Sequence, residues 1–391
     1  MAAAARSDRL TVYERVEDLP PTWDRVAQAA GLSMKRQFIQ AMQRSGAAAQ
    51  DRRYLVYEDP AGAAVIGIAE LLVTASARNP VTSVLLGRLN RHIPAARNWM
   101  LPMLLLRADL TNDVALVADA ATESERALVL GEMLAALEAL AGRKGWSQGV
   151  ASVSAEDATL RSALRRRGYL QTVGRPCAVL GLGFDSWEAF LESAARCNKN
   201  AVRNIRHEIN RARRDGVTIG TWDPARIPES ELYELMVGHD QRLNGRSFGY
   251  RPEFLSSLAE SLGKNVRFLV AEREQQVLGA VVFAWTGSQG YVVFPGLIAK
   301  ADRAGLAYFN LVFYEPIRLA IELGLESLAY GNAAFEAKIR RGCTVRETCL
   351  FFRPRSSVVR TALQAPLAVH RRLLQRKYAS ILQAPAFSGL F

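Results

Sequence analysis

The stretch between Val266 and Pro354 decides how the rest of the chain is interpreted. It contains, in order, the runs VRFLVAERE (266–274), VLGAVVFAWT (277–286), GYVVFPGL (290–297), DRAGLA (302–307), YFNLVFYEPIRLAIELG (308–324) and LESLAYG (325–331). The first two runs are strand-like and flank the polar pair Gln275 and Gln276, which predicts a β-hairpin. A third strand, a glycine-containing loop, a helix and a fourth strand follow. A helix that starts at such a loop offers unpaired backbone N–H groups and a positive dipole end, which suit an anion such as phosphate.

The same order of elements occurs earlier in the chain. YLVYEDPAGAAVIGIAELLVTA (54–75) is typical of two strands around a turn at 59–62 and matches the later hairpin. Four further elements match in order: ERALVLGEMLAALEALAGRKG with AYFNLVFYEPIRLAIELG, GVASVSA with LESLAYG, TLRSALRRRGY with AAFEAKIRRG, and CAVLGLG with TCLFFRP. The first copy carries extra sequence between about 76 and 102. We therefore predict two copies of one α/β unit in tandem.

These residues resemble the GNAT acyltransferase superfamily, whose donor pyrophosphate rests on an Arg/Gln-x-x-Gly-x-Gly/Ala loop. The matching run, 302–307, keeps Gly305 and Ala307 but begins with Asp302, and Arg303 stands beside it. The tandem arrangement is similar to the FemABX-like and BioF2-like branch of that superfamily. Three segments support this: the basic run 196–216, HDQRLNGRSFGY (239–250) and the Lys-x-x-Arg-Gly segment GNAAFEAKIRRGC (331–343).

The resemblance implies an α/β fold made of two tandem GNAT-like domains, each a mixed central sheet flanked by helices, plus a C-terminal helical tail. The expected boundaries are 1–185 for a non-catalytic first domain, 186–215 for a basic connecting helix, 216–354 for the catalytic domain and 355–391 for a basic helical tail broken at Pro366. The second copy is expected to be the active one, because 120–123 in the first copy places the acidic Glu123 where a phosphate would sit.

The charge balance favours acidic partners. The 391 residues include 50 Lys and Arg against 38 Asp and Glu, a formal net charge of +12. An Arg- and Ala-rich composition without selection for binding is the alternative. Four scattered Cys and four His show no zinc-ligand spacing, so no metal site is expected and the thiols suit a reducing cytoplasm. The run MAAAARSDRL (1–10) has no apolar core of signal-peptide length, and no apolar run reaches about 20 residues, so we expect a soluble intracellular protein without a membrane partner. DNA is not an expected partner either.

The basic run predicts a helix with a cationic face. Five cations recur at helical spacing: Arg196, Lys199, Arg203, Arg206 and Arg213. A neighbouring stripe is apolar: Val202, Ile205, Ile209 and Ala212. Such a helix docks by its apolar side and offers its cations to RNA phosphates or to an acidic acyl or peptidyl carrier protein. A merely solvated face is the alternative.

Candidate groups for chemistry fall in two segments. Amide formation needs a base for the attacking amine, and His239, with Asp240 as orienting partner or second base, suits this role in a Gly- and Asn-rich loop where Arg242 and Arg246 would contact the substrate. A structural histidine is the alternative. After the strand at 325–331, Tyr330 could protonate the leaving group, and Asn332 and Lys338 could hold the substrate, since ligands collect at strand C-terminal ends. Tyr314 is a second candidate acid.

The resemblance also assigns a donor site. One strand, with Tyr291, Val293, Phe294, Pro295 and Gly296, would pair with the amides of a pantetheine donor. The following loop and helix start, with Arg303, Gly305, Leu306, Ala307 and Tyr308, would hold its phosphate end. The predicted reaction is direct transfer of an acyl group from a phosphopantetheine thioester, on acyl-CoA or an acyl carrier protein, to a small-molecule amine, for example in specialised metabolism, with no permanently bound cofactor. Two alternatives stay open: an aminoacyl-tRNA-dependent Fem-like transferase, and a non-catalytic tandem GNAT scaffold.

Overall fold

Both predicted α/β copies are present, and each is built on its own mixed sheet. The structure is a computed structural model that describes residues 9–46, 52–73, 100–110, 113–245, 248–299 and 306–388. The chain forms two compact units. Unit 1 consists of Met1–Arg36, Ala49–Pro176 and Arg346–Leu382, and unit 2 consists of Gln37–Ala48, Cys177–Val345 and Gln383–Phe391. Of the helices in the described ranges, none has the length and apolar content to cross a bilayer.

The strands are β1 (Leu10–Tyr13), β2 (Arg52–Glu58), β3 (Ala64–Leu72), β4 (Met103–Leu106), β5 (Leu116–Asp119), β6 (Ser147–Ser154), β7 (Leu170–Val173), β8 (Cys177–Gly181), β9 (Thr218–Thr221), β10 (Val266–Arg273), β11 (Gln276–Thr286), β12 (Gln289–Leu297), β13 (Ser327–Gly331), β14 (Thr344–Arg346) and β15 (Thr348–Arg353). The helices are α1 (Pro21–Ala27), α2 (Arg36–Arg44), α3 (Glu123–Lys144), α4 (Ala158–Arg166), α5 (Trp187–Cys197), α6 (Lys199–Arg214), α7 (Glu229–Asn244), α8 (Phe254–Leu262), α9 (Leu306–Phe309), α10 (Glu315–Glu322), α11 (Phe335–Ile339) and α12 (Ser357–Gln383). A π-helical turn, Asn310–Tyr314, joins α9 to α10.

The two sheets correspond strand by strand. Unit 1 has the order β1-β2-β3-β4-β6-β15-β7, with β5 also paired to β3, and unit 2 has the order β9-β10-β11-β12-β13-β8-β14. In each sheet the central pair is parallel, β4 with β6 and β12 with β13. The predicted hairpin joins β10 to β11 with its turn at Glu274 and Gln275, both at positive φ, one residue earlier than the sequence suggested. The repeat and the mixed α/β fold class are confirmed.

One part of the predicted division is wrong, because the copies exchange a strand. β8 follows the first copy in sequence but pairs with β13 in unit 2, and β15 follows the second copy but pairs with β6 and β7 in unit 1. Both strands are almost fully buried apolar runs, so their residue pattern suits either sheet equally. The compact units therefore differ from the boundaries 1–185 and 216–354, and the basic helix α6 belongs to unit 2 instead of connecting two domains.

The tail at 355–391 is also organised differently from the prediction. Helix α12 runs through Pro366 without a break. A proline removes one helical hydrogen bond, but here the residues on both sides of it are held, because Leu363 and Leu367 pack with Leu350 and Phe352 in a core of unit 1. The tail is thus largely a part of unit 1.

Helices cover both faces of the sheet in unit 2. One face packs against α5, α6, α9 and α10 through a core that includes Leu269 and Phe283. On the other face α7 lies so close to β12 that a Cβ on Gly296 would be 2.7 Å from the Met236 backbone nitrogen. Glycine is required at that position, and α7 is fixed directly over β12. This arrangement places two different helical surfaces beside the centre of the sheet.

Candidate functional site

The central strands of unit 2 separate beyond their first residues. β12 and β13 pair at three positions, from Gln289 with Ser327 to Tyr291 with Ala329. Beyond Tyr291, β12 continues to Leu297 with β11 as its hydrogen-bonded neighbour. The two strands therefore splay apart beyond Tyr291, which leaves backbone groups of β12 available to an extended ligand.

A β-bulge lies in the separating part of β12. The register passes from Ala280 opposite Gly296 to Val282 opposite Val293, so β12 carries one extra residue there. Phe294 occupies the bulge with φ +53°, a conformation that costs a bulky residue on the order of 1–3 kcal/mol. Of the predicted donor-binding residues, Tyr291 is buried, Val293, Phe294 and Pro295 are partly exposed, and Gly296 is accounted for by its contact with α7.

A buried polar group closes the end of β13. The Lys338 side chain is 5% exposed, and its Nζ donates a hydrogen bond of 2.5 Å to the Tyr330 carbonyl oxygen. Burial lowers the pKa of Lys338 to about 8, against the opposing effect of the Cys343 and Cys177 thiols. Burial also raises the pKa of the Cys343 thiol to about 12, so this thiol stays protonated and is no nucleophile.

The Tyr330 ring stacks on Phe313 with ring centroids 5.0 Å apart. Its hydroxyl is buried without a hydrogen-bond partner among the described residues, and burial raises the pKa of Tyr330 well above its usual value. The hydroxyl therefore remains protonated at neutral pH and is able to donate. Asn332 lies partly exposed in the turn before α11. The structure thus brings Tyr330, Asn332 and Lys338 together at the end of β13, as predicted, while their roles stay predictions.

A second buried group beside it was missed by the sequence analysis. Arg341 donates to both carboxylate oxygens of Glu208 at 2.9 and 2.7 Å, and to the Tyr314 hydroxyl at 3.1 Å. Tyr314 in turn donates to Glu208, and the Arg341 guanidinium lies over the Phe309 ring. Burial raises the pKa of Tyr314 well above its usual range. The available signal was that Glu208 is the lone acid in a strongly basic helix.

The predicted loop around His239 is helical. Helix α7 continues to Asn244 and ends at Gly245, whose positive φ forms its C-cap. His239 is 6% exposed and lies on the inner face of α7 with Leu232 and Met236. Asp240 is partly exposed, and Arg242 donates to the Leu297 carbonyl oxygen. The sequence suggested a loop because Gly238, Asn244 and Gly245 are clustered, yet only the last of these ends the helix.

Several predicted residues lie outside the described part of the chain: Arg246, Arg303 and Gly305. Helix α9 begins at Leu306, and Ala307 behind it is buried while Tyr308 is partly exposed. The phosphate-binding role assigned to this loop and helix start remains a prediction.

The cationic surface predicted for 196–213 is present on two helices instead of one. Arg196 lies in the last turn of α5, and Asn198 caps the start of α6. All five cations, Arg196, Lys199, Arg203, Arg206 and Arg213, are exposed. None of them forms a salt bridge with a residue of the described ranges. On the opposite side Val202, Ile205 and Ala212 are buried, which confirms the predicted apolar stripe.

Comparison with known proteins finds one matching family and several solved structures with a similar fold. Residues 115–388 match a family described as FemAB-like, peptidoglycan biosynthesis/recognition. No curated protein matches the chain. Among solved structures the chain is similar to FemX, with a TM-score of 0.54 and 10% identity over 88% of this chain and 96% of that one. It is also similar to the C-terminal domain of a putative lysylphosphatidylglycerol synthetase from Agrobacterium fabrum, with a TM-score of 0.51 and 13% identity over 95% and 97%.

A third similar structure is L-PGS from Bacillus licheniformis, with a TM-score of 0.51 and 14% identity over 92% of this chain and 98% of that one. At these identities the likeness concerns the fold. The matched family segment covers the splayed strands of unit 2 and about half of unit 1.

Proposed function

The chain belongs to the FemAB-like family, and we propose that it transfers an aminoacyl group from aminoacyl-tRNA to the amine of a peptidoglycan precursor. This was the first of the two alternatives to the pantetheine thioester donor in the sequence analysis. The family favours it over the thioester donor. The observation that carries the proposal is that unit 2 combines a splayed pair of central strands with an exposed cationic helix.

The cationic helix supports a nucleic-acid donor. Helix α6 carries Lys199 and five arginines, and Glu208, its one acid, is bound by Arg341. Contacts between such cations and phosphates release counterions and stabilise RNA binding without reading its sequence. Helix α6 also packs beside α9 and the π-helical turn that follows it, where Asn310 Nδ2 donates to the Glu208 carbonyl oxygen at 3.3 Å. A tRNA bound along α6 would therefore lie beside the helix that starts near the splay.

The proposed chemistry is aminolysis of an ester. The nitrogen of a neutral amine attacks the aminoacyl carbonyl carbon, the new C–N bond forms, and the bond from that carbon to the ribose oxygen breaks. The amine loses one proton, and the ribose oxygen gains one. A backbone N–H at the Phe294 bulge is suited to the carbonyl oxygen, and the protonated Tyr330 hydroxyl is suited to the leaving oxygen. Both assignments, and His239 as the base, are parts of the proposal.

A donor competition tests the proposed function. The full chain is incubated with a lysine-containing peptidoglycan precursor peptide and one of three donors: a bulk pool of aminoacyl-tRNA, acyl-CoA, or an acyl-loaded carrier protein. We expect an amide product with aminoacyl-tRNA alone, and its loss after ribonuclease treatment. A product formed from either thioester would overturn the tRNA proposal in favour of the pantetheine donor. Absence of any product, together with tRNA binding, would favour a scaffold protein.

A further inference from the structure

The segment that follows α12 contains a buried phenylalanine. Helix α12 ends at Gln383, and the residues after it belong to unit 2 instead of unit 1. Phe387 in this segment is 5% exposed and is a member of the core that covers one face of the unit 2 sheet. The centroid of its ring lies 5.8 Å from that of Phe190 in α5. The segment therefore places one large apolar side chain in the core of unit 2.

The backbone of Phe387 is fixed by two hydrogen bonds. Its N–H donates to the Ile339 carbonyl oxygen at 2.8 Å, and its own carbonyl oxygen accepts from Asn198 Nδ2 at 3.0 Å. Ile339 is the last residue of α11, and Asn198 caps the start of α6. Phe387 also has a φ of +60°, which is unfavourable for a bulky residue and persists only where the surrounding structure imposes it. The segment is therefore held at a defined place on α11 and α6.

The Phe387 ring closes over the turn that follows α11. A Cβ on Gly342 would lie 2.5 Å from Cζ of the ring, so the ring occupies the space that a side chain at this glycine would need. Gly342 has a φ of +95°, and its N–H donates to the Ile339 carbonyl oxygen at 3.0 Å. The same carbonyl oxygen thus accepts from both Gly342 and Phe387, which joins the turn to the segment.

This turn also contains Lys338. The Lys338 carbonyl oxygen accepts from the N–H groups of Arg341 and Cys343, each at 3.0 Å. Its Nζ donates to the Tyr330 carbonyl oxygen at 2.5 Å. The titratable and charged groups near its amine are the thiols of Cys343 and Cys177, and the Arg341 guanidinium lies next along the turn. Because the amine is buried, the position of the turn decides whether it stays at the end of β13 or reaches water.

The equivalent turn in unit 1 is covered differently. Gly168 ends the same Arg-Arg-Gly motif and also has a positive φ, +76°. Among the described residues, a Cβ at Gly168 would come within 4 Å only of Arg360 Nη1, at 3.1 Å, which is the end of a flexible side chain. The position that corresponds to Lys338 is Leu164, which is buried and apolar. The buried ring thus accompanies the copy whose turn contains a lysine.

We propose that Phe387 is a positioning residue for Lys338: its ring and backbone hold the turn after α11, so that the lysine amine stays at the end of β13. Removal of the ring opens space beside Gly342, and the turn is then free to move the lysine toward water. Phe387 acts through Lys338 and is assigned no contact with substrate. The inference rests on the proposed function in one respect, the assignment of Lys338 to the transfer site.

Competitive labelling of the full chain with acetic anhydride tests this without any donor. The acetylation rate of each lysine is followed by peptide mass spectrometry between pH 7 and 9.5. In wild type the rate at Lys338 should level off above pH 8, since burial lowers its pKa to about 8. In Phe387→Ala the rate should keep rising about tenfold per pH unit, as for a solvated lysine. Lys264, which is exposed, should be labelled equally in both proteins.

Two glycine variants form a matched pair. Gly342→Ala displaces the Phe387 ring and should change the labelling of Lys338 as Phe387→Ala does. Gly168→Ala introduces the same side chain at a positive φ in the same motif of unit 1, and it should leave Lys338 as in wild type. Phe387→Leu keeps an apolar side chain in the core and should retain most of the wild-type behaviour. Circular dichroism of each variant verifies its folding.

The outcomes separate this inference from the proposed function. If Lys338 in Phe387→Ala is labelled as in wild type, or if Gly168→Ala changes it equally, Phe387 does not position Lys338 and the inference is wrong for any donor. In the transfer assay Phe387→Ala should lower kcat at least tenfold and change the KM for aminoacyl-tRNA less than twofold. An unchanged kcat would also overturn the inference. The same fall in kcat with a thioester donor would support it and contradict the tRNA proposal.

Discussion

Units 1 and 2 share the order of their sheets but differ at the start of the long helix that follows each central strand. In unit 1 the start of α3 is closed by its own side chains. Thr122 Oγ1 accepts from the Glu125 N–H at 3.2 Å, and the Glu125 carboxylate accepts from the Ala121 N–H at 2.8 Å. Such a cap uses the free N–H groups and places negative charge where an anion would bind. Unit 1 is therefore closed to a phosphate at this position.

The corresponding helix of unit 2 is irregular where α3 is regular. Helix α3 runs unbroken for 22 residues, whereas the helix from Leu306 to Glu322 contains the π-helical turn Asn310–Tyr314. π-Helical turns are frequent at functional sites. This turn directs Asn310 and Tyr314 to Glu208. The bulge at Phe294 is a second irregularity. Unit 1 has a comparable bulge in the neighbouring central strand β6, but a small residue, Ser152, occupies its positive φ. The comparison shows that a π-helical turn, a bulge at a bulky residue and a buried ion pair occur together in unit 2.

The largest effect is expected at the Arg-Arg-Gly motif, which both copies contain but whose second arginine is more deeply buried in unit 2. Both end a short helix in Arg-Arg-Gly, and the second arginine binds a glutamate in each: Arg341 binds Glu208, and Arg167 binds Glu138. Arg341 is 6% exposed and Arg167 29% exposed in these pairs. Glu208→Ala leaves a buried charge without its partner and should lower the free energy of unfolding by about 3–5 kcal/mol. Glu138 also pairs with Arg353, but both of its arginines keep about 30% of their surface in water, so Glu138→Ala should cost less, about 1 kcal/mol.

Urea denaturation of the two variants measures this difference. Glu208→Gln, which keeps the shape and part of the hydrogen bonding, should fall between wild type and Glu208→Ala. Equal losses in Glu208→Ala and Glu138→Ala would show that the buried network of unit 2 is no more important to stability than its partly exposed counterpart.

The second effect concerns Lys338, which aligns with Leu164 when the two Arg-Arg-Gly motifs are superimposed. Both positions are buried, so a leucine is what the pattern of unit 1 predicts. The pKa of Lys338 is about 8 instead of 10.5, so the unfolded chain binds more protons between these values and stability rises with pH across that window. Below pH 8 the charged lysine costs the folded state about 3 kcal/mol.

Lys338→Leu should remove this rise and increase the free energy of unfolding near pH 7, while transfer activity falls at least 100-fold. The measurement is urea denaturation from pH 7 to 10.5, in parallel with the transfer assay. Leu164→Met in unit 1, a change of similar volume, serves as the control and should leave both nearly unchanged. A Lys338→Leu variant with wild-type activity would remove Lys338 from the site.

The third effect compares two basic helices, α6 of unit 2 and α12 of unit 1. Replacing Arg203, Arg206 and Arg213 by glutamate should weaken tRNA binding more than tenfold and flatten its dependence on salt, by about 0.9 in the log–log slope for each phosphate that is no longer neutralised. The same change at the exposed residues Arg371, Arg372 and Arg376 alters net charge equally. Filter binding at several salt concentrations distinguishes them. Equal weakening in both triple variants would mean that overall charge, and not α6, determines tRNA binding.

Much of the fold could be predicted from the sequence, because the periodicity of apolar residues and the positions of turn residues determine local structure. The repeat, the hairpins, the exposed cations of α6 and the placement of Lys338 at a strand end all follow from such patterns. The exchange of β8 and β15 could not be predicted in this way, because the residue types of two buried apolar strands do not specify which sheet each strand joins. The positive φ of Phe294 leaves no trace in residue type, since phenylalanine is ordinary in a strand.

The pairing of Glu208 with Arg341 was hidden for another reason. The two residues are 133 positions apart, and only the folded chain brings α6 against the π-helical turn and the segment that follows α11. His239 shows the converse error, because local glycines suggested a loop where the apolar spacing of Leu232, Met236 and His239 fits a helix face. Long-range pairs and backbone strain are thus the parts of the site that a single sequence conceals.

The smallest expected effect tests whether the capped helix of unit 1 is purely structural. Thr122→Ala removes the cap of α3 and should lower the free energy of unfolding by about 1 kcal/mol without changing transfer activity. Ser186→Ala removes the equivalent cap of α5 in unit 2, where the Ser186 hydroxyl accepts from the Ala189 N–H at 3.1 Å, and should cost a similar amount. Activity is measured well below the unfolding temperature, so that both variants are folded. If Thr122→Ala loses activity while Ser186→Ala keeps it, the start of α3 takes part in the reaction, and unit 1 is more than a scaffold for unit 2.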